Sequence, residues 1–196
     1  ASGAYDEEVP QVYEQVSDGK DTVSNKVGDF MDNNSVMYTT PTLEMMGASI
    51  TAHLGYSPQA SDTTVSDGGQ ATYSAAVGAG KEAGVTIAYE GLKLGFYGAE
   101  RDRTVPYTAS GSGANYQHDE FNGSWYAKYT MGPVSVGYSE FYFDGGVTQA
   151  VESPNTAKVH RTAGGIFDGD SMSIAFNVND NMSISYTTSD ETYDTQ

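Results

Sequence analysis

Met46-Gly47-Ala48-Ser49-Ile50-Thr51-Ala52-His53-Leu54-Gly55-Tyr56 decides how the rest of the chain is read. Met46, Ala48, Ile50, Ala52, Leu54 and Tyr56 are apolar, and the residues between them are small or polar. In an extended chain successive side chains point to opposite faces, so this strict period of two separates an apolar face from a polar one. Its length matches the 9–11 residues with which a tilted strand crosses a bilayer. The pattern returns at Leu92, Leu94, Phe96 against Lys93, Gly95, Tyr97, and along Phe121 to Met131 with Trp125, Ala127 and Tyr129 in phase. Val134, Val136, Tyr138 repeat it, as do Met172 to Val178 and Met182, Ile184, Tyr186; shorter copies lie at Val36, Tyr38 and Val85, Ile87, Tyr89. Eight strands and no helix are expected.

The connections alternate in length. Short turns are expected at Thr42 to Met45, Glu90-Gly91, Met131-Gly132-Pro133 and Asn179-Asp180-Asn181, each rich in turn-forming residues. Long polar connections are expected over 57–83, 102–120 and 144–170, and the polar end from Thr187 to Gln196 reads as a loop. An up-and-down sheet with turns on one rim and loops on the other produces this alternation, and transmembrane β-barrels have that asymmetry. A half-buried soluble sandwich also alternates. Against the sandwich, the polar positions are mostly Gly, Ser, Thr and Tyr, with Lys93 and Lys128 as exceptions, rather than a free scatter of Lys and Glu. Tyr56, Tyr89, Tyr129 and Tyr138 also sit near strand ends, as an interfacial girdle does.

Composition narrows the function. Twenty-six Asp and Glu against nine Lys and Arg give a formal charge of −17, which lacks the basic footprint of a nucleic-acid binder. There is no Cys, which removes disulfides, thiol catalysis and Cys-based zinc sites. Gly78-Ala79-Gly80-Lys81 lacks the spacing of a phosphate loop, and His53, His118 and His160 lack metal spacing. Asp168-Gly169-Asp170 is compatible with a weak divalent-cation site in an acidic loop, although calcium requires more oxygens. No catalytic constellation is present, so no enzyme and no resident cofactor are expected.

Four stretches carry a family resemblance. Tyr5-Asp6-Glu7-Glu8-Val9-Pro10-Gln11-Val12-Tyr13-Glu14 precedes Asn34-Ser35-Val36-Met37-Tyr38-Thr39-Thr40-Pro41; further on come Met131-Gly132-Pro133-Val134-Ser135-Val136-Gly137-Tyr138 and the run Phe176 to Tyr186. In order and spacing they resemble the Gram-negative general porins, in particular the alphaproteobacterial marine members. The first resembles that family's third loop running into the next strand, and the later two its recurring turn-and-strand segments. The resemblance implies a sixteen-stranded antiparallel up-and-down transmembrane β-barrel, of which this chain would be an internal portion with about eight strands. Residues 1–34 would be the constriction loop and 35–190 the strands with their connections. It also implies an outer-membrane homotrimer in contact with lipid, passing ions and small hydrophilic solutes.

On that resemblance Asp6, Glu7, Glu8 and Glu14 form the acidic side of the pore constriction; read by itself, the same run is a solvated acidic linker. Strand parity turns Lys93, Lys128, His53 and Tyr97 to the polar face, where they would line the pore wall. Long cations also commonly cover a wet sheet face without a specific task. A soluble secreted β-sheet binding module, and an outer-membrane barrel that only anchors loops, are the competing readings.

Overall fold

The computed structural model describes residues 35–58, 77–103, 115–116, 119–144, 147–148 and 166–194. Among them there are strands and no helix: β1 (Val36–Thr39), β2 (Leu43–Met45), β3 (Ala48–Ser57), β4 (Val77–Tyr89), β5 (Leu92–Arg103), β6 (Asn115–Tyr116), β7 (Glu120–Met131), β8 (Val134–Asp144), β9 (Val147–Thr148), β10 (Ile166–Asn179) and β11 (Met182–Asp194). Nine of these form one antiparallel sheet in the order β1-β3-β4-β5-β7-β8-β10-β11, with β2 also on β3. Each long strand neighbours the next in the chain, so the topology is up-and-down. The sheet does not close, since β1 and β11 are its two ends. β6 and β9 form a separate ribbon that joins the β5–β7 connection to the β8–β10 connection.

All eight patterned segments are strands, but their ends differ from the sequence reading. β4 starts at Val77, β5 runs to Arg103, β8 to Asp144, β10 starts at Ile166 and β11 runs to Asp194. The expected loops over 57–83, 102–120 and 144–170 are shorter by these margins, and the polar tail from Thr187 to Asp194 is strand rather than loop. The reason is the register: β10 and β11 pair from Asn179↔Met182 up to Ile166↔Asp194, so backbone hydrogen bonding carries the ladder past the point where apolar alternation stops. The first turn also differs. Leu43–Met45 is a strand, and the chain reverses at Met46-Gly47, where both residues have positive φ (53° and 83°). That suits a primed two-residue hairpin turn. Met46 is therefore a turn tip, 95 % exposed, and not the first strand residue. Glu90 (φ 50°) and Gly132 (φ 58°) open the turns after β4 and β7 on the same rim.

The burial of the sheet is inverted relative to a water-soluble one. Register rows identify its two faces. One row runs His53-Gly84-Tyr97-Ser124-Phe141-Gly169, and its neighbours on the same face carry Glu82, Asn122 and Tyr126. This polar face is the buried one: His53, Ser57, Glu82, Arg101, Glu120, Asn122, Ser171 and Ser173 are all buried on it, beside Tyr97, Tyr126, Phe141 and Phe143. On the opposite face Leu54, Tyr56, Phe96, Tyr129, Met131, Ile174, Phe176 and Ile184 are exposed.

Large residues on the polar face lie over glycines directly opposite them. Tyr126 pairs with Gly95, and its ring occupies the space that a Cβ on Gly95 would need. Phe141 covers Gly169 and Glu82 covers Gly55 in the same way. Alternating glycine with large side chains lets rings and carboxylates lie flat on the sheet instead of projecting from it.

The apolar face is not bounded by a register row. On β3 its upper limit is Tyr56, whose row passes through Lys81, Glu100, Phe121, Asp144 and Ile166 to Asp194. On β11 the last exposed apolar residue is Tyr186, eight positions below Asp194. The lower limit moves in the same direction, from Ala48, whose row meets β11 at Tyr186, to Met182, four positions further down. The descent is uneven: Phe121 on β7 is still exposed on the Tyr56 row, Tyr142 on β8 lies two positions below it, Met172 on β10 six and Tyr186 on β11 eight, so from β3 to β11 the band runs oblique to the register with most of the slip after β7.

Candidate functional site

The polar face brings together side chains from three consecutive hairpin arms. His53 and Tyr97 flank Gly84 in one row, and because Gly84 has no side chain their rings reach over it, with centroids 6.0 Å apart and planes at 28°. Glu82, in the next row, lies between them. The Tyr97 hydroxyl donates to Glu82 Oε2 at 2.7 Å, and Glu82 Oε1 is 3.8 Å from His53 Nε2. A carboxylate at this depth is stable only with such donors or cations around it.

Above this group Arg101 Nη2 donates to Glu120 Oε2 at 2.5 Å, and both side chains are nearly inaccessible. β5 and β7 place them directly opposite each other. Nearer the turns Lys93 and Lys128 are also directly opposite, and Lys93 Nζ stands 5.4 Å from the centre of the Tyr126 ring. Close to the first hairpin Ser49 donates to Glu44. The described polar face thus carries Lys93, Arg101 and Lys128 against Glu44, Glu82 and Glu120. It is a wall of mixed charge, hydroxyls and glycine.

Of the residues named from sequence, His53, Tyr97, Lys93 and Lys128 share this face, with His53 and Tyr97 in one group and the two lysines in another. Asp6, Glu7, Glu8 and Glu14 lie outside the described residues. Glu82, Glu120, Asn122 and Tyr126 join the face without a sequence motif to mark them. Glu82 and Glu120 fall in segments read as loops, where parity has no meaning. Equal hairpin arms were the available signal: counting back from the Glu90-Gly91 turn as far as β5 runs forward puts Glu82 opposite Ala99, beside Tyr97.

Asp168-Gly169-Asp170 lies in β10 rather than in a loop. Its two carboxylates stand on one face of an extended strand, roughly 7 Å apart along it, and cannot wrap an ion as a loop does. Glu100, Asp102 and Asp119 approach one another more closely, with carboxylate oxygens within 4.8 Å; exposed acids of this kind are common without a metal. Among the described residues no helix is long and apolar enough to cross a membrane.

Fold and site together define an open antiparallel sheet with a charged, ring-lined polar face and an exposed apolar one. No family model, no curated protein and no solved structure matches the chain.

Proposed function

We propose that the chain is part of an outer-membrane β-barrel, assembled as a homotrimer, through which ions and small hydrophilic solutes diffuse passively along a water-filled lumen. The polar face lines the lumen and the apolar face meets lipid. The diagonal apolar band carries this reading. Strands in transmembrane barrels are tilted about 35–45° from the axis, so their perpendicular hydrogen-bond rows climb through the bilayer by the same angle. Six strand spacings separate β3 from β11, roughly 29 Å. Over that span a band parallel to the membrane slips along the strands by roughly seven residues at a tilt of about 40°. The upper limit slips by eight, from the Tyr56 row to Tyr186, and the lower limit by four, from the Ala48 row to Met182, on either side of that figure. A soluble sheet has no reason to expose such a band, still less to incline it against its own register.

In this reading Lys93, Lys128, His53 and Tyr97 belong to the pore wall, with Glu82, Arg101 and Glu120 beside them, and Asp6, Glu7, Glu8 and Glu14 to the constriction. No catalytic step and no cofactor is involved; sorting is by size and charge. With 26 acids against nine bases in the chain, selectivity leans to cations. Conductance of the purified protein in a planar bilayer is the test. Absence of conductance removes the channel, and a marked anion preference removes the charge argument.

A further inference from the structure

Two grooves lie one above the other on the apolar face of β5, β7, β8, β10 and β11. The lower, about 530 Å³, is lined by Leu92, Tyr129, Val136, Met172, Ile174 and Tyr186. The upper, about 590 Å³, has Phe96, Trp125 and Tyr142 as its aromatic part and Glu140, Asp168, Asp170 and Asp190 at its acidic end. Their register makes them continuous. Phe96, Trp125, Glu140, Asp170 and Asp190 form a single row, and the rows of Tyr138 with Met172 and of Tyr129 with Val136 and Ile174 come directly beneath it.

Chemistry changes sharply along this path. The lower groove is hydrocarbon-like. At its top Tyr138 Oη and Trp125 Nε1 donate to the two oxygens of Glu140 at 2.7 and 2.8 Å, with their rings 5.5 Å apart. A carboxylate has about four acceptor sites, so Glu140 retains capacity for further donors. Next to it Asp170 and Asp190 stand directly opposite each other, an arrangement of like charges that costs stability unless a cation sits among them. An occupant complementary to the whole path is apolar below and cationic above. The aromatic faces favour a cation by their quadrupoles, and the carboxylates favour one with N–H groups to donate.

We propose that this path seats one lipid molecule carrying a primary ammonium, its acyl chain in the lower groove and its headgroup among Trp125, Glu140 and Asp170. The inference rests on the membrane reading above. A second copy of the chain fits less well, because Lys81 is the one Lys or Arg among the described residues whose register row lies on the apolar face.

Trp125 is the sole tryptophan of the chain and reports on the path directly. The full chain is reconstituted in phosphatidylcholine vesicles containing increasing fractions of lipid brominated on the acyl chain, with an ethanolamine, choline or glycerol headgroup. Brominated phosphatidylethanolamine is expected to quench Trp125 at about two- to fivefold lower mole fraction than brominated phosphatidylglycerol, with phosphatidylcholine between. That preference is expected to fall to unity in Asp170→Asn/Asp190→Asn, which leaves the groups that bond Trp125 untouched, and in Glu140→Gln. Equal quenching by all three lipids overturns the proposal and leaves the membrane reading standing. A preference for phosphatidylglycerol that depends on calcium and vanishes with chelator also overturns it, since the acids would then be bridging anionic lipid. No quenching by any lipid overturns both.

Discussion

Ile174→Arg separates a lipid-facing sheet from one that faces water. Ile174 stands near the middle of the apolar run of β10, between Met172 and Phe176, and is 49 % exposed. No described residue covers its outer half, so in water an Arg there would extend into solvent and change stability within about 0.5 kcal/mol. In a bilayer the same guanidinium lies inside the band, two residues from Met172 and four from Val178, where an outward Arg on a barrel costs up to about 2–4 kcal/mol. Asp168→Arg is the matched control: it is also outward on β10 and exposed, but lies above the band, where the cost falls to about 0–1 kcal/mol. Urea titrations of the protein folded into vesicles, followed by Trp125 fluorescence, measure both. A loss under about 1 kcal/mol for Ile174→Arg, or equal losses at the two positions, would refute the reasoning and return the sheet to water.

The remaining predictions concern the polar face. Gly95→Val places a side chain where the Tyr126 ring lies and is expected to cost about 1–3 kcal/mol in the same titration, with Tyr126→Ala in the double variant recovering part of it. Arg101→Ala strands the buried Glu120 carboxylate and is expected to cost about 3–5 kcal/mol, while Arg101→Ala/Glu120→Ala costs less; the reverse ranking would show that the pair is not the relevant unit. Lys93→Glu/Lys128→Glu reverses an opposed pair of cations on the proposed wall. The zero-current potential across a salt gradient is expected to move further toward cation selectivity, and an unchanged potential would place both lysines outside the ion path.

Aromatic residues illustrate how far the local pattern reaches. Tyr129 and Tyr89 are legible as outward from two-residue periodicity, and the structure leaves both exposed. Tyr126 and Tyr97 have the same chemistry at the opposite parity and are buried, and parity also suffices to assign them to the polar face. What parity does not supply is that Tyr126 lies over Gly95, or that Tyr97 reaches past Gly84 to Glu82 and His53. Those contacts depend on which residues stand opposite one another, and register is a property of two strands at once.

The sequence by itself determined the strand class, the order of the eight patterned strands, the rim that carries the short turns, and the face on which His53, Lys93, Tyr97 and Lys128 lie. All of these follow from covalent geometry: side chains alternate along an extended chain, and glycine or asparagine permits a two-residue reversal. Only the tertiary structure decided where the strands end, because ladder hydrogen bonds extend β4, β10 and β11 through polar residues that carry no alternation. Only it decided that the polar face is the buried one, and that the apolar band runs oblique to the register. Alternation tells two faces apart, but which face is covered, and at what angle a band crosses the strands, depends on how neighbouring strands are staggered.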